Sequence, residues 1–198
     1  MDEPRYPTIE EFWQRLDARQ VEADLKQTLR DRTTKEQGSV TRVYDEKTVV
    51  AFAERILPGA VPAKALAVLL DETFDKQSGR SDDKYGLLPR AELVPAGFQV
   101  LDDSARSRHG QPFAALSGEQ KDGLISAAEK GELSGPQGFD SKTWFRRVRE
   151  SLVSAFGADP RGMVQMGFPG PSYKPGHVWL QRGEIDARVK RKRGYLKL

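Results

Sequence analysis

Residues 140–173 read DSKTWFRRVRESLVSAFGADPRGMVQMGFPGPSY, and the two halves of this stretch have opposite patterns. In the first half, apolar residues recur at helical spacing, which predicts a helix with one buried face that begins at Asp140 or Ser141. The residues of that face are Trp144, Phe145, Val148, Leu152 and Phe156. Gly157, directly after them, is typical of the residue that ends a helix.

The second half, residues 157–173, contains four glycines and three prolines. Proline removes a backbone donor and glycine costs about 1 kcal/mol of helix propensity, so this density predicts an irregular segment instead of a helix. The apolar residues between the turn residues argue against a solvated linker. Two roles remain open: an internal cap of the helix bundle, or a rigid surface that contacts a partner. For the second role the predicted contact residues are Met166, Phe168, Pro169, Tyr173 and, farther along the chain, Trp179.

Five more helical patterns precede this stretch, whereas strand-like alternation longer than four residues occurs only near residues 178–180. The helical patterns cover about residues 8–30, 45–57, 62–74, 90–109 and 117–131. Thr8 with Glu11, and Ser117 with Gln120, have the spacing of capping boxes. The sequence therefore predicts an all-α fold: a single irregular bundle of about six helices with a long N-terminal helix and an irregular Gly/Pro-rich C-terminal segment.

Three regions differ in composition. Residues 1–40 contain a highly charged helical pattern with two apolar stripes that do not align, which is either a peripheral helix of the same domain or an arm that packs on a partner. Residues 41–176 hold the remaining helices. Residues 177–198 form a basic C-terminal tail, and the whole chain of 198 residues is long enough to bury a substantial core.

The net charge of +3 is distributed unevenly, because residues 181–198 carry seven basic side chains against Glu184 and Asp186. Such a tail resembles a nucleic-acid-binding patch, which is the alternative function for this chain. Tyr195 is the only aromatic residue within the basic run, and no known nucleic-acid motif accompanies it. A tail that stays solvated, or that lies on an acidic partner surface, is the favoured interpretation.

Residues with catalytic or metal-binding chemistry are few. The chain has no cysteine, which excludes disulfides, thiolate catalysis and cysteine-ligated metal sites. His109 and His177 are the only histidines, and both are interpreted as structural or solvent-exposed. The adjacent pairs Asp82-Asp83 and Asp102-Asp103 are interpreted as solvated, because neighbouring residues on a helix point apart. We predict no catalytic, cofactor-binding or metal-binding residue, and a stand-alone enzyme using His109 with Asp102 or Asp103 remains the less favoured hypothesis.

Four segments in a fixed order resemble a known family. They are ERILPGA at residues 54–60; GL at residues 86–87 followed by GQPFAALS at 110–117; the helix from residue 119 on to WF at 144–145; and DP at 159–160 with GFPG at 167–170 and Tyr173. Each segment alone is weakly specific. Together, over about residues 45–175, their order and spacing resemble the gluconate 2-dehydrogenase subunit 3 family.

This resemblance implies an all-helical accessory subunit that is not catalytic by itself. Its partner would be a large subunit of the glucose–methanol–choline oxidoreductase fold that holds FAD and oxidises a sugar, glycoside or sugar acid. Some such complexes add a multihaem cytochrome subunit. The small subunit binds no cofactor of its own and supports maturation and stability of the flavoprotein, in a chaperone-like manner, within a heterodimer or larger hetero-oligomer.

The family also bears on the compartment. Members commonly carry an N-terminal twin-arginine signal, whereas this sequence begins MDEPRYPTIEEF, without paired arginines and without an apolar signal region. No apolar run approaches the ~20 residues that a membrane span needs. We therefore expect a cytoplasmic complex without a membrane span, the alternative being a periplasmic complex exported together with its partner.

Overall fold

The computed structural model describes residues 8–17, 23–76, 88 and 90–167, and it confirms the all-α prediction. Within these ranges there is no strand. Short 3-10 turns lie at Lys35–Gln37 and Phe113–Ala115. The α-helices are α1 (Ile9–Asp17), α2 (Ala23–Arg32), α3 (Glu46–Ile56), α4 (Ala63–Lys76), α5 (Arg90–His109), α6 (Gly118–Lys130), α7 (Ser141–Ala158) and α8 (Pro160–Gln165).

Helix α7 lies at the centre of the bundle, where it contacts α4, α5, α6 and α8. Its predicted apolar face is buried throughout. Trp144 is the largest fully buried side chain, and its ring lies edge-on to Phe98 with the centroids 5.2 Å apart. The indole Nε1 donates to the backbone carbonyl of Val94 at 3.1 Å, so the one polar atom of this buried ring is satisfied.

Side-chain caps define several helix ends where the sequence predicts them. The Thr8 hydroxyl accepts from the Glu11 backbone N–H at 3.2 Å, and Ser117 forms a complete capping box with Gln120. Asp140 caps α7, and α6 ends at a residue in the left-handed conformation, Gly131, with φ of 85°. These caps depend on contacts within three or four residues, which is why sequence spacing alone predicts them.

The single long N-terminal helix predicted over residues 8–30 is wrong. Lys26 Nζ lies 3.4 Å from the Asp17 carboxylate, and the Arg30 guanidinium lies over the Trp13 ring at 5.9 Å. In one continuous helix, residues 13 and 30 would be about 25 Å apart. Helices α1 and α2 therefore lie against each other, and Leu29 of α2 packs in the same small cluster as Phe12 and Leu16 of α1.

The irregular segment predicted after residue 157 is also partly wrong. Helix α7 continues through Gly157 to Ala158, and α8 follows at once. Pro160 occupies the first turn of α8, where its missing N–H costs nothing, and the Asp159 carboxylate caps that turn. A Cβ at Gly162 would lie 2.0 Å from the Phe156 carbonyl oxygen. Glycine and proline thus permit a close helix–helix turn here.

A buried carboxylate fixes the loop that leads into α3. Asp71 of α4 is almost fully buried, and its Oδ1 accepts from the backbone N–H groups of Arg42 and Val43, both at 2.8 Å. Its Oδ2 accepts from the backbone N–H of Thr41 at 3.3 Å. Hydrogen bonds to a charged acceptor are worth about 1.5–3 kcal/mol each, more than neutral ones.

We expect Asp71→Asn to lower the free energy of unfolding by about 2 kcal/mol, because an amide offers one acceptor oxygen and turns its NH₂ group towards a donor. Urea denaturation followed by circular dichroism measures this. The matched control is Asp103→Asn on α5, where the carboxylate is exposed and the change should stay within about 0.5 kcal/mol. Equal effects of the two variants would contradict the structural role of Asp71.

Candidate docking surface

Among the described residues, His109 is not paired with Asp102 or Asp103. The interpretation of Asp102 as solvated is wrong: it is 4% exposed, and its carboxylate accepts from the Phe113 backbone N–H at 2.8 Å and from Arg106 at 3.0 Å. Asp103 is exposed, as predicted, and accepts from Gln99. His109 lies two helical turns beyond Asp102, about 10 Å along the axis, and nearest to Gln120.

His177 and the pair Asp82-Asp83, interpreted from the sequence as structural or solvated, lie outside the described ranges. Within the described ranges, no group of three histidine, aspartate or glutamate side chains is arranged to hold a metal ion. In the same residues, no helix combines the length and apolar character that a membrane crossing requires.

An ion-pair network centred on Arg161 links α8 to the 3-10 turn that follows α2. Arg161 is only 18% exposed; its guanidinium donates to Asp159 at 2.8 Å and to Glu36 at 3.3 Å. Asp159 is fully buried. Partial burial alone would raise the pKa of the Glu36 carboxyl, but backbone and Arg161 hydrogen bonds outweigh it and hold that pKa below its ordinary 4.5. The resulting stability is present above pH 4.5 and is lost as pH falls through the lower folded-state pKa.

One face of α8 is covered by α1 and α2. The buried side chains of Phe12, Leu16 and Leu29 form a small core that is separate from the main one, and Met163 and Val164 of α8 pack against it. At the edge of this contact, Arg32 donates to the Ala158 carbonyl at the end of α7. This face of α8 therefore packs inside the protein. An internal cap of the helix bundle is one of the two roles predicted for residues 157–173.

The opposite side of the stretch is apolar and exposed. Met166 is 57% exposed, and its methyl group would lie 3.5 Å from a Cβ placed on Gly157. Val153, one helical turn before Gly157 on α7, is 51% exposed. These three residues form what we call the apolar patch. Among the described residues only Leu25, at 36%, is another large hydrophobic side chain with comparable exposure.

The predicted contact residues are thus only partly located. Met166 belongs to the apolar patch, whereas Phe168, Pro169, Tyr173 and Trp179 lie outside the described residues. Sequence reasoning missed Val153. Its position was available from the helical pattern, because it is an apolar residue on the polar side of α7, four residues before Gly157.

Segments that are far apart in sequence meet beside this surface. The backbone N–H of Ala60, in the turn after α3, donates to the Gln165 side chain of α8 at 2.7 Å. Arg55, one helical turn before that loop, makes a bidentate pair with Asp122 of α6 at 2.8 and 2.5 Å. The C-terminal end of α3 is therefore tied to α6, and the turn that follows it is tied to the end of α8.

Comparison with protein-family models decides the family. The model for gluconate 2-dehydrogenase subunit 3 matches residues 44–176, more than half of the chain and the region that holds α3 to α8. The chain belongs to the gluconate 2-dehydrogenase subunit 3 family. No curated protein and no solved structure shows a significant match to it.

Membership in the subunit 3 family assigns this chain to the accessory subunits of dehydrogenase complexes. The apolar patch lies inside the matched region, as do both the Ala60–Gln165 and the Arg55–Asp122 contacts. Helices α1 and α2 precede that region, although they complete the packing around α8. Within the described residues, one side of α8 is therefore covered by α1 and α2, which lie outside the family region, and Met166 at its end is exposed.

Proposed function

We propose that this chain is a non-catalytic accessory subunit that binds and stabilises a large FAD-dependent dehydrogenase of the glucose–methanol–choline type. The substrate of that partner would be a sugar, a glycoside or a sugar acid, and FAD would be held by the partner. Family membership supports an accessory role in a dehydrogenase complex. The observation that carries the proposal is the exposed apolar patch of Val153, Gly157 and Met166, held in a fixed shape by α7 and α8.

The binding energy would come from removing this patch from water. Fully burying a valine or methionine side chain contributes about 1.5–3 kcal/mol, so two such side chains are a substantial part of an interface core. The patch lies on helices, so little conformational entropy is lost when it docks. A subunit that binds only the folded flavoprotein stabilises it by mass action, by about 2.7 kcal/mol at a concentration 100 times the Kd.

The experiment is co-expression of this chain with a large flavoprotein of the proposed type from the same genome. We expect the double variant Val153→Asp with Met166→Asp to reduce the recovered complex at least ~10-fold, because two charges would be buried without partners. The yield of FAD-loaded large subunit should fall in parallel. Both are measured by affinity purification of this chain and by flavin absorbance.

Leu25→Asp is the matched control, because Leu25 is also an exposed apolar residue but lies on α2. It should leave recovery of the complex unchanged. Circular dichroism should show the same helix content for all variants. Recovery of the complex at wild-type level with both patch residues replaced would contradict the proposal, as would failure of the wild-type chain to bind the flavoprotein at all.

A further inference from the structure

We propose that α7 carries a second docking element, a cationic stripe of Lys142, Arg146 and Arg149, that binds an acidic surface on the large subunit beside the apolar patch. This inference rests on the proposed function and adds the chemistry of the partner surface. It assigns a role to three exposed side chains, of which only Arg149 has an ion-pair partner on another helix.

The stripe and the apolar patch lie on one line along α7. Residues 142, 146, 149, 153 and 157 follow one another at intervals of four, three, four and four, so at 3.6 residues per turn they occupy one side of the helix. At a rise of 1.5 Å per residue the line is about 22 Å long. Its N-terminal part is basic, and its C-terminal part is apolar and ends under Met166.

The basic part is poorly neutralised. Within the described part of the chain, no hydrogen bond or ion pair engages Lys142 or Arg146, and both are exposed. Arg149 has one acidic neighbour, Glu129 of α6 at 3.5 Å, and its guanidinium lies over the Phe145 ring. Together they border a pocket of about 210 Å³ whose wall also includes Phe145 and Glu129. A carboxylate entering this pocket would meet three cations and one carboxylate, so the cations outnumber the like charge.

The positions of these cations are unfavourable for the stability of helix α7. The N-terminus of a helix carries a partial positive charge, which favours acidic residues, yet beyond the cap Asp140 the first turn of α7 contains none and includes Lys142. Lys142 and Arg146 are also four residues apart, a spacing at which like charges repel. Helix stability thus gives no reason for this arrangement, whereas a negatively charged partner surface does.

The occupant is inferred from charge and from the neighbouring patch. The chain's own C-terminal tail, residues 181–198, is itself strongly basic and would be repelled. A nucleic acid would neutralise the stripe but would leave Val153 and Met166 in water, because the phosphate backbone supplies most of such binding and offers no apolar surface. A protein surface with acidic residues next to an apolar area would pair with the basic stripe and also remove the apolar patch from water.

The test is the association rate of the purified chain with the FAD-loaded large subunit at 50, 150 and 500 mM NaCl. We expect the wild-type rate to fall as salt rises, because exposed charges are screened. Lys142→Glu with Arg146→Glu should lower the rate at 50 mM at least ~10-fold and reverse or abolish its salt dependence. The control is Lys47→Glu with Arg108→Glu, the same charge change on α3 and α5, which should alter the rate less than about threefold.

Three results would overturn the inference. The first is a stripe variant that behaves like the control while the apolar-patch variant still loses binding, in which case the proposed function survives. The second is a wild-type chain that does not bind the large subunit, which would contradict both the inference and the proposed function. The third is binding to a 20-base-pair DNA duplex at 150 mM NaCl that is lost in the stripe variant, which would assign the stripe to nucleic acid.

Discussion

Replacement of Trp144 by alanine is expected to lower the free energy of unfolding by about 4 kcal/mol. The ring is fully buried against Phe52 and Phe98, with centroids 5.5 and 5.2 Å away. It also covers Gly97 so closely that a Cβ there would lie 2.1 Å from the indole. Truncation would therefore leave a cavity that neighbouring side chains cannot fill, and the Val94 carbonyl would lose its indole donor.

Urea denaturation followed by circular dichroism measures the Trp144 effect. The control is Val153→Ala on the same helix, which removes an exposed side chain and should change stability by less than about 0.5 kcal/mol. A loss below about 2 kcal/mol for Trp144→Ala would contradict the central position assigned to α7. It would also weaken the case that α7 presents a rigid surface, because Trp144 fixes the inward side of that helix.

Replacement of Arg161 by methionine should lower the free energy of unfolding by about 3 kcal/mol. The guanidinium is mostly buried between Asp159 and Glu36, and Asp159 is fully buried. Without the cation, the Asp159 carboxylate would keep its backbone bond to residue 161 but would remain buried without a countercharge. The loss of Glu36 as a partner would also loosen the contact between the N-terminal region and α8.

Two measurements distinguish this effect from general destabilisation. Limited proteolysis of Arg161→Met should produce faster cleavage within residues 1–43 than in the wild-type chain, because that region loses its anchor. Arg161→Lys keeps the charge but not the bidentate geometry, and should give an intermediate loss. Arg108→Met, at an exposed position on α5, should be neutral. Wild-type stability and proteolysis of Arg161→Met would contradict the anchoring role.

Local features of this fold could be predicted from the sequence, because their causes lie within a few residues. The cap at Asp140, the capping box at Ser117 and the buried face around Trp144 are of this kind. So is the extent of α5, whose predicted range of residues 90–109 matches Arg90–His109 even with Pro95 inside it. Each depends on side-chain chemistry or periodicity that is visible in one short window.

The errors have a common physical cause, which is contact between distant residues. The separation of α1 from α2 becomes visible only because Lys26 and Arg30 of α2 lie beside the Asp17 carboxylate of α1. From the sequence alone, Gly162 indicates the end of a helix. In the structure the Phe156 carbonyl lies so close to it that a side chain would not fit. Asp102 looks solvated in sequence, but its partner is the backbone N–H of Phe113, in a different turn.

The candidate docking surface could likewise be predicted from the sequence only in part. Met166 was predicted to face a partner from its place in a Gly/Pro-rich stretch, and the structure leaves it exposed. Met163 and Val164, three and two residues earlier, instead pack on α1 and α2. Which side of such a short helix is free depends on what covers the other side, and here residues outside the family region do so. Sequence spacing on α8 alone carries no such information.

The central claim is that the side of α7 and α8 bearing Val153 and Met166 docks onto the large flavoprotein. The most direct measurement places a photo-reactive phenylalanine analogue at residue 153, and in a parallel sample at residue 25, in the co-expressed complex. Irradiation should cross-link position 153, but not position 25, to the large subunit, with mass spectrometry locating the attachment. Cross-linking from position 25 alone, or from neither position in a complex that forms normally, would contradict the account.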